Sequence, residues 1–422
     1  MHGQKLKIKD KIVLDEYFKS NRFKHILHEY EELCKENADS FLDSEELADI
    51  AEYYHIIGKE EEAKAAATYA VNVFPGATAP LCFLARTALF VDKDPVKAEL
   101  LAEEIIDKTD LDYYYLIAEI MMVLNKYEEA NKYLSEHFND ITADEQQDYI
   151  FDVASLLCDY GLAELAQKWL NQYKDTETKD YKELKAKILL WLGKSNESED
   201  MLNELIDSNP YSTTYWNELA ECHFLRGEYN KSITASEYSL AINPEDEDAL
   251  SNKANALYSI GNNDEAINYY KRFQKVIAEA RKNSVNITIA DVYLSQKKVD
   301  KAFKYFKKAI ENSEAKEETY IQMAISLMAN GYMSDAYKLF SANLQRVSEV
   351  WDIGYAYYAR CCYELGLMDE YDRILGIAIK KNLVETKNLL ADLYPEDSKP
   401  ETYPLLTPTP RKGKADNNTL PF

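Results

Sequence analysis

Three glycines at equal intervals, Gly193, Gly227 and Gly261, each follow an alanine by seven residues, at Ala186, Ala220 and Ala254. The chain therefore repeats itself every 34 residues across this stretch. A period of that size, with glycine and small residues at fixed offsets, is the pattern of a helix-turn-helix unit that cannot bury its apolar face alone and stacks on copies of itself. It predicts an all-α solenoid. It also limits the functional reading, because a solenoid is a binding surface whose ligand is chosen by its variable positions.

The clearest unit runs from Thr213 to Asp246. Leu219, Ala220 and His223 follow Trp216 by three, four and seven residues, on one helical face. Gly227 falls where the first helix must stop, a place that favours left-handed backbone. Ser232, Ser236 and Ser239 put small residues on one face of the second helix, and Pro244 ends it. This unit resembles the tetratricopeptide repeat, which has an aromatic opener, a Leu-Gly/Ala pair, a turn glycine, small residues and a terminal proline at these intervals.

The same frame extends along the chain. It takes in Leu47 with Gly58 and Ala63, Tyr114 with Ala130, Ile150 with Gly161 and Ala166, and Leu250 with Ala266. Later come Ala290 with Ala302, Tyr320 with Gly331 and Ala336, and Tyr355 with Gly366. Lys297 replaces one turn glycine, and Tyr371 stands where a small residue is expected. Residues 7–40 fit weakly, through Leu14, Tyr17, Phe23 and Ile26. The count is about eleven units, the first and last degenerate, and seven of the twelve glycines fall at the turn offset. The resemblance implies a right-handed superhelical α-solenoid over residues 7–384. A capping helix is expected over 385–394, carrying Leu389, Leu390 and Leu393 on one stripe. Residues 395–422 hold six of the eleven prolines without helical periodicity and read as a flexible tail. An alternative docks Tyr403 to Pro410 on a partner or in the solenoid's own groove, with Arg411, Lys412 and Lys414 meeting acidic walls.

The formal net charge of −25 argues against nucleic-acid binding, which needs a face rich in lysine and arginine. The local run Lys297, Lys298, Lys301, Lys304, Lys307 and Lys308 reads as a solvated helix face. No stretch approaches 18 consecutive apolar residues and the start of the sequence is charged throughout, so a cytoplasmic protein with no membrane partner is expected. Six dispersed cysteines without a CxxC pair read as reduced core residues.

Catalytic motifs fail one by one. Gly193-Lys194-Ser195 imitates the end of a phosphate-binding loop, but Ile188 occupies the position of the required earlier glycine. His25, His28 and Glu29 match no zinc signature. No enzyme activity and no cofactor or metal are expected.

The tetratricopeptide resemblance implies ligand contacts at the residue after the opener and at those four and seven further on, a single helical face. Carried onto this chain, it selects Phe83 and Phe90; Tyr115, Glu119 and Met122; Phe151; Asn217 and Glu221; Asn255; and Asp291. From Phe83 to Phe151 such a lining is aromatic with one carboxylate, Glu119, and suits an amphipathic helix or apolar peptide. From Asn217 to Asp291 it is polar, able to hold peptide amides. The competing reading is that the aromatics merely seal neighbouring helices. Some members of the family grip a partner's C-terminal carboxylate with Lys-Asn, Asn and Lys-Arg sets, and that clamp is absent here as a unit. The expectation is a non-enzymatic scaffold that holds a basic or amphipathic protein segment in a concave groove. The alternative is a regulatory sensor governed by a peptide or by its own tail, with an enzyme of unrecognised site as a third reading.

Overall fold

The computed structural model describes residues 17–35, 42–313, 315–349 and 351–409, and all regular structure in those residues is helical. Leu14 of the weak first unit lies outside them. Helix α1 (Asn21–Leu33) buries Phe23, Ile26 and Tyr30. The chain divides into two compact units, Met1–Ser208 and Asn209–Phe422.

In the first unit, antiparallel neighbours in sequence pack as hairpins. These are α2 (Ser44–Ile56) with α3 (Glu60–Val73), α4 (Thr78–Phe90) with α5 (Pro95–Glu103), and α6 (Leu111–Val123) with α7 (Tyr127–His137). They continue as α8 (Gln146–Asp159) with α9 (Ala163–Leu170) and α10 (Lys179–Trp191) with α11 (Ser195–Ser208). The second unit begins with α12 (Thr213–Leu225) paired to α13 (Tyr229–Ile242), then α14 (Glu247–Ser259) to α15 (Asn263–Val276) and α16 (Glu279–Ser295) to α17 (Val299–Glu311). It ends with α18 (Lys316–Ala329) on α19 (Met333–Asn343), α20 (Tyr355–Leu365) on α21 (Met368–Lys381), and α22 (Leu383–Leu390).

One turn builds nearly all of these hairpins. The residue after the first helix is left-handed, and the next N–H reaches back five residues to close the helix end. Thus Glu228 donates to the His223 carbonyl at 2.8 Å, and Asn262 to Leu257 at 2.9 Å. The glycines at the turn, Gly58, Gly161, Gly193, Gly227, Gly261, Gly331 and Gly366, all have φ between 72° and 86°. Asn125 and Lys297 take the same conformation, with φ of 60° and 59°. Lys297 therefore fills the glycine's place at a steric cost. Gly193 is such a turn, and Ile188 before it is fully buried in α10, which leaves no phosphate loop.

Five residues after each left-handed position the second helix meets the first at close range. Ala63, Ala130, Ala166, Ser198, Ser232, Ala266, Ala302 and Ala336 occupy that place with no exposed surface. Only small side chains let two helix backbones approach so closely, which is why the frame was visible in the sequence. The ninth position is Tyr371, also fully buried. Its ring is accommodated because the chain beyond covers it: its hydroxyl hydrogen-bonds the Tyr394 hydroxyl at 2.5 Å.

The expected capping helix is α22, extended by a 3-10 turn at Ala391–Leu393. Its Glu385 carboxylate accepts from the N–H groups of Gly354, at 3.0 Å, and Ala356, at 3.1 Å, and so satisfies the start of α20. The tail expected to be flexible is instead folded as far as Thr409. Pro400–Leu405 forms a 3-10 helix against α21 and α22. Tyr403, 1% exposed, stacks on Tyr394 with ring centroids 4.0 Å apart. The Thr409 N–H donates to the Leu393 carbonyl at 2.8 Å, and the Tyr363 hydroxyl donates to the Thr409 carbonyl. Aromatic burial and main-chain bonds hold this segment, neither of which leaves a periodic signal. Arg411, Lys412 and Lys414 lie outside the described residues.

Candidate interaction surface

The first helices of successive hairpins adjoin: α2, α4, α6, α8 and α10 form one row in the first unit. In the second unit α12 packs on α14, α16 on α18, and α18 on α20. Polar side chains about one period apart tie these rows together. Arg86 Nε of α4 lies 2.6 Å from Glu119 Oε2 of α6. The Tyr115 hydroxyl donates to Asp152 of α8 at 3.1 Å, and Lys187 Nζ of α10 reaches Asp159 at 2.5 Å. In the second unit Asp291 of α16 accepts from Tyr258 of α14 at 3.1 Å, and from Ser326 at 2.7 Å and Asn330 at 2.8 Å.

This ladder uses the positions that the family pattern assigned to a ligand. Phe83, Tyr115 and Met122 are 4%, 4% and 1% exposed. The aromatic wall expected from Phe83 to Phe151 is therefore corrected: three of its members seal neighbouring helices, because each ring or thioether buries more apolar area against the next hairpin than it would in an open groove. Tyr115 stacks on Tyr149 at 5.7 Å. Phe90 is half-buried, as is Phe151, whose ring meets Tyr173 at 5.5 Å. Glu119 is also not a lone carboxylate on an open surface, since it is buried and paired with Arg86. Burial pushes its carboxyl above the usual range, and the adjacent guanidinium pulls part of that rise back.

The polar half is divided in the same way. Asn217 is buried and donates to the Asp246 carboxylate at 2.8 Å, which in turn caps α14. The Asn255 amide oxygen accepts from the Tyr270 hydroxyl at 2.6 Å, and Asp291 is the three-donor hub described above. Glu221 is exposed.

Accessible chemistry on the first unit's row lies on an adjacent stripe. Asp112 on α6, Asp152 with Ser155 and Asp159 on α8, and Glu183 with Lys187 on α10 make up that stripe, those on one helix at helical spacing. The side chains of Asp112, Asp159 and Glu183 are 40%, 44% and 28% exposed. Among the residues named on this surface carboxylates outnumber cations, which are Lys179, 3.3 Å from Glu183, Lys187 and the buried Arg86. Asp112, Asp152, Asp159 and Arg86 were not singled out in the sequence. The available signal was the spacing of 33 between Arg86 and Glu119, 37 between Tyr115 and Asp152, and 33 between Tyr258 and Asp291.

Two family profiles match the chain: a tetratricopeptide repeat over residues 251–316 and a bacterial transcriptional activator domain over residues 192–281. No curated protein sequence is detectably similar to the chain. Among solved structures, a tetratricopeptide repeat protein from Parabacteroides merdae shares 16% identity, with a TM-score of 0.42 over 67% of this chain and 98% of its own. The Cut9–Hcn1 assembly of the APC/C gives 15% identity and a TM-score of 0.35 over 90% of this chain and 92% of the matched one. A thermophilic tetratricopeptide protein of Thermus thermophilus gives 15% and 0.37 over 43% and 99%. The profile match covers only two of the hairpins, residues 251–316, and the left-handed turn and the small residue five positions later that build them recur from Gly58 to Gly331, so the chain is similar to tetratricopeptide-repeat proteins in its repeating hairpin.

Proposed function

We propose that the chain is a non-enzymatic protein-interaction scaffold whose first unit holds a basic or amphipathic segment of a partner along the row of first helices. The observation that carries this reading is the repeated carboxylate stripe of α6, α8 and α10, in which Asp112, Asp159 and Glu183 keep part of their surface open. A segment bearing lysine or arginine every few residues would meet one carboxylate per hairpin, and its apolar side chains would meet the half-buried Phe151 and Phe90. The field of a chain carrying −25 would steer such a segment to this surface. The tail-regulated alternative draws no support from residues 395–409, which pack on α21 and α22. No helix among the described residues is long and apolar enough to cross a membrane.

Affinity capture from lysate with the wild-type chain and with the Asp112→Lys/Asp159→Lys variant tests the reading. Partners retained by the first and lost by the second, with helical content unchanged, support it. An identical set of partners on both would overturn it.

A further inference from the structure

The second unit carries a charge pattern opposite to that of the chain as a whole. Between Lys297 and Lys308 six lysines face a single acid, Asp300, in a chain with 74 acidic and 49 basic residues. Lys301, Lys304 and Lys308 follow one another at three and four residues and share one stripe of α17, and Lys297 stands in the left-handed turn before it. All four are exposed. The stripe lies opposite Ala302, Phe306 and Ala309, which bury the other face of α17.

Among the described residues, none of these four lysines has a carboxylate within ion-pair distance, and the four stand together on a short stretch of chain. The two other lysines of the run are paired, Lys298 with Asp264 at 3.6 Å and Lys307 with Glu311 at 3.6 Å. The stripe instead sits on aromatic rings. Lys297 Nζ lies 5.9 Å from the Tyr332 ring centroid, Lys301 5.6 Å from Tyr293 and Lys308 5.0 Å from Tyr305. A ring holds an ammonium in place without neutralising it, so the positive field remains available to an incoming anion.

We propose that this face of α17 docks a short acidic segment of a protein partner. The length of the stripe selects the occupant. From Lys301 to Lys308 the helix rises about 10 Å, which matches a few extended residues carrying Asp and Glu, with Lys297 in the turn beyond them. A long polyanion would run past both ends into the field of a molecule at −25, whereas a short segment stays within about two Debye lengths of the lysines. The proposal is independent of the carboxylate row of the first unit, and gives the scaffold a second docking surface of the opposite sign.

A fluorescein-labelled octaglutamate peptide, titrated by anisotropy into the full chain at 50 mM salt, is the test. Saturable binding is expected, weakened at least tenfold at 200 mM salt. Lys301→Glu/Lys304→Glu should abolish it, Lys301→Arg/Lys304→Arg should retain it, and Asp112→Lys/Asp159→Lys should not reduce it. Circular dichroism of each variant checks the fold. Absence of binding, or equal binding to the charge-reversed variant, overturns the proposal. Tighter binding of a twenty-nucleotide oligothymidylate overturns it in favour of a nucleic-acid face. A doubling of mass at low salt that the charge reversal removes would assign the face to a second copy of the chain.

Discussion

Removing one partner of the Arg86–Glu119 pair should destabilise the first unit far more than removing both. The two side chains are 5% and 7% exposed and approach to 2.6 Å. At an effective dielectric constant of about 20, their attraction is on the order of 6 kcal/mol, most of it offset by the desolvation of both ions. Glu119→Leu strands a guanidinium whose remaining neighbour is Asp112, 3.9 Å away. That partial compensation places the cost near the lower end of the range for a broken buried pair, about 3 kcal/mol. In Arg86→Met the carboxyl left behind takes up a proton, which bounds the electrostatic loss. Burial already pushes this carboxyl above the ordinary carboxylate range, and losing the guanidinium that holds it down pushes it further the same way. The double variant Arg86→Met/Glu119→Leu should be neutral or slightly more stable than the wild type, because an apolar pair avoids both desolvation costs. Urea unfolding followed by circular dichroism gives the four midpoints and the coupling energy, expected above about 2 kcal/mol. Single substitutions costing under 1 kcal/mol, or a double variant equal to the sum of its parts, would refute the argument that this contact bolts α4 to α6.

Three further outcomes follow from the turn and the helix contact. Gly227→Ala adds a methyl group that meets no atom within 4 Å, so its cost should be the left-handed backbone alone, about 1–2 kcal/mol by thermal unfolding; no loss would mean that the turn is not left-handed in solution. Ala266→Leu should overpack α14 against α15 and cost about 1–3 kcal/mol, whereas Glu265→Leu next to it should stay within about 0.5 kcal/mol; equal effects would show the register to be wrong. Glu228 accepts from Arg226 at 2.5 Å, from Lys231 at 3.1 Å and from His223 at 2.9 Å, and the Arg226 bond first, with the other two, holds its carboxyl down to about 2. Since the folded value lies below the ordinary 4.5, the unfolded chain takes up the proton first. The contribution is present above 4.5 and is lost as pH falls toward 2. The difference in melting temperature between wild type and Glu228→Gln should therefore shrink across that window, and a constant difference would contradict it.

The fold was legible because two of its requirements are steric and local. A left-handed residue is cheap only for glycine, and a helix contact without free volume accepts only Ala or Ser, so Gly227 and Ser232 announced the hairpin between them. Where the rule was broken, at Lys297 and Tyr371, the structure kept the conformation and burial of the site and changed what surrounds it. The interaction surface was legible only in part. The spacing that placed Tyr115, Glu119 and Met122 on one face was right, but spacing does not say whether that face meets a ligand or the next helix. Tyr115 reaches Asp152 and Glu119 meets Arg86, so the face is largely spent on joining hairpins. The open carboxylates Asp112 and Asp159 lie on the adjoining stripe. The order of residues 395–409 was not legible for a different reason: it rests on Tyr403 stacked on Tyr394, Thr409 bonded to Leu393 and Tyr363 bonded to Thr409, contacts that composition and periodicity do not encode.

The central claim, that a partner segment lies along the first helices of the first unit, is tested most directly by site-specific photo-crosslinking. A benzophenone amino acid is placed at Ser155 or Glu183 on the carboxylate row, and at the exposed Lys132 or Glu164 on α7 and α9. Irradiation in lysate should attach a partner at Ser155 and Glu183, through peptides rich in lysine or arginine, and leave Lys132 and Glu164 unmodified. Attachment at the second-helix positions alone would contradict the claim.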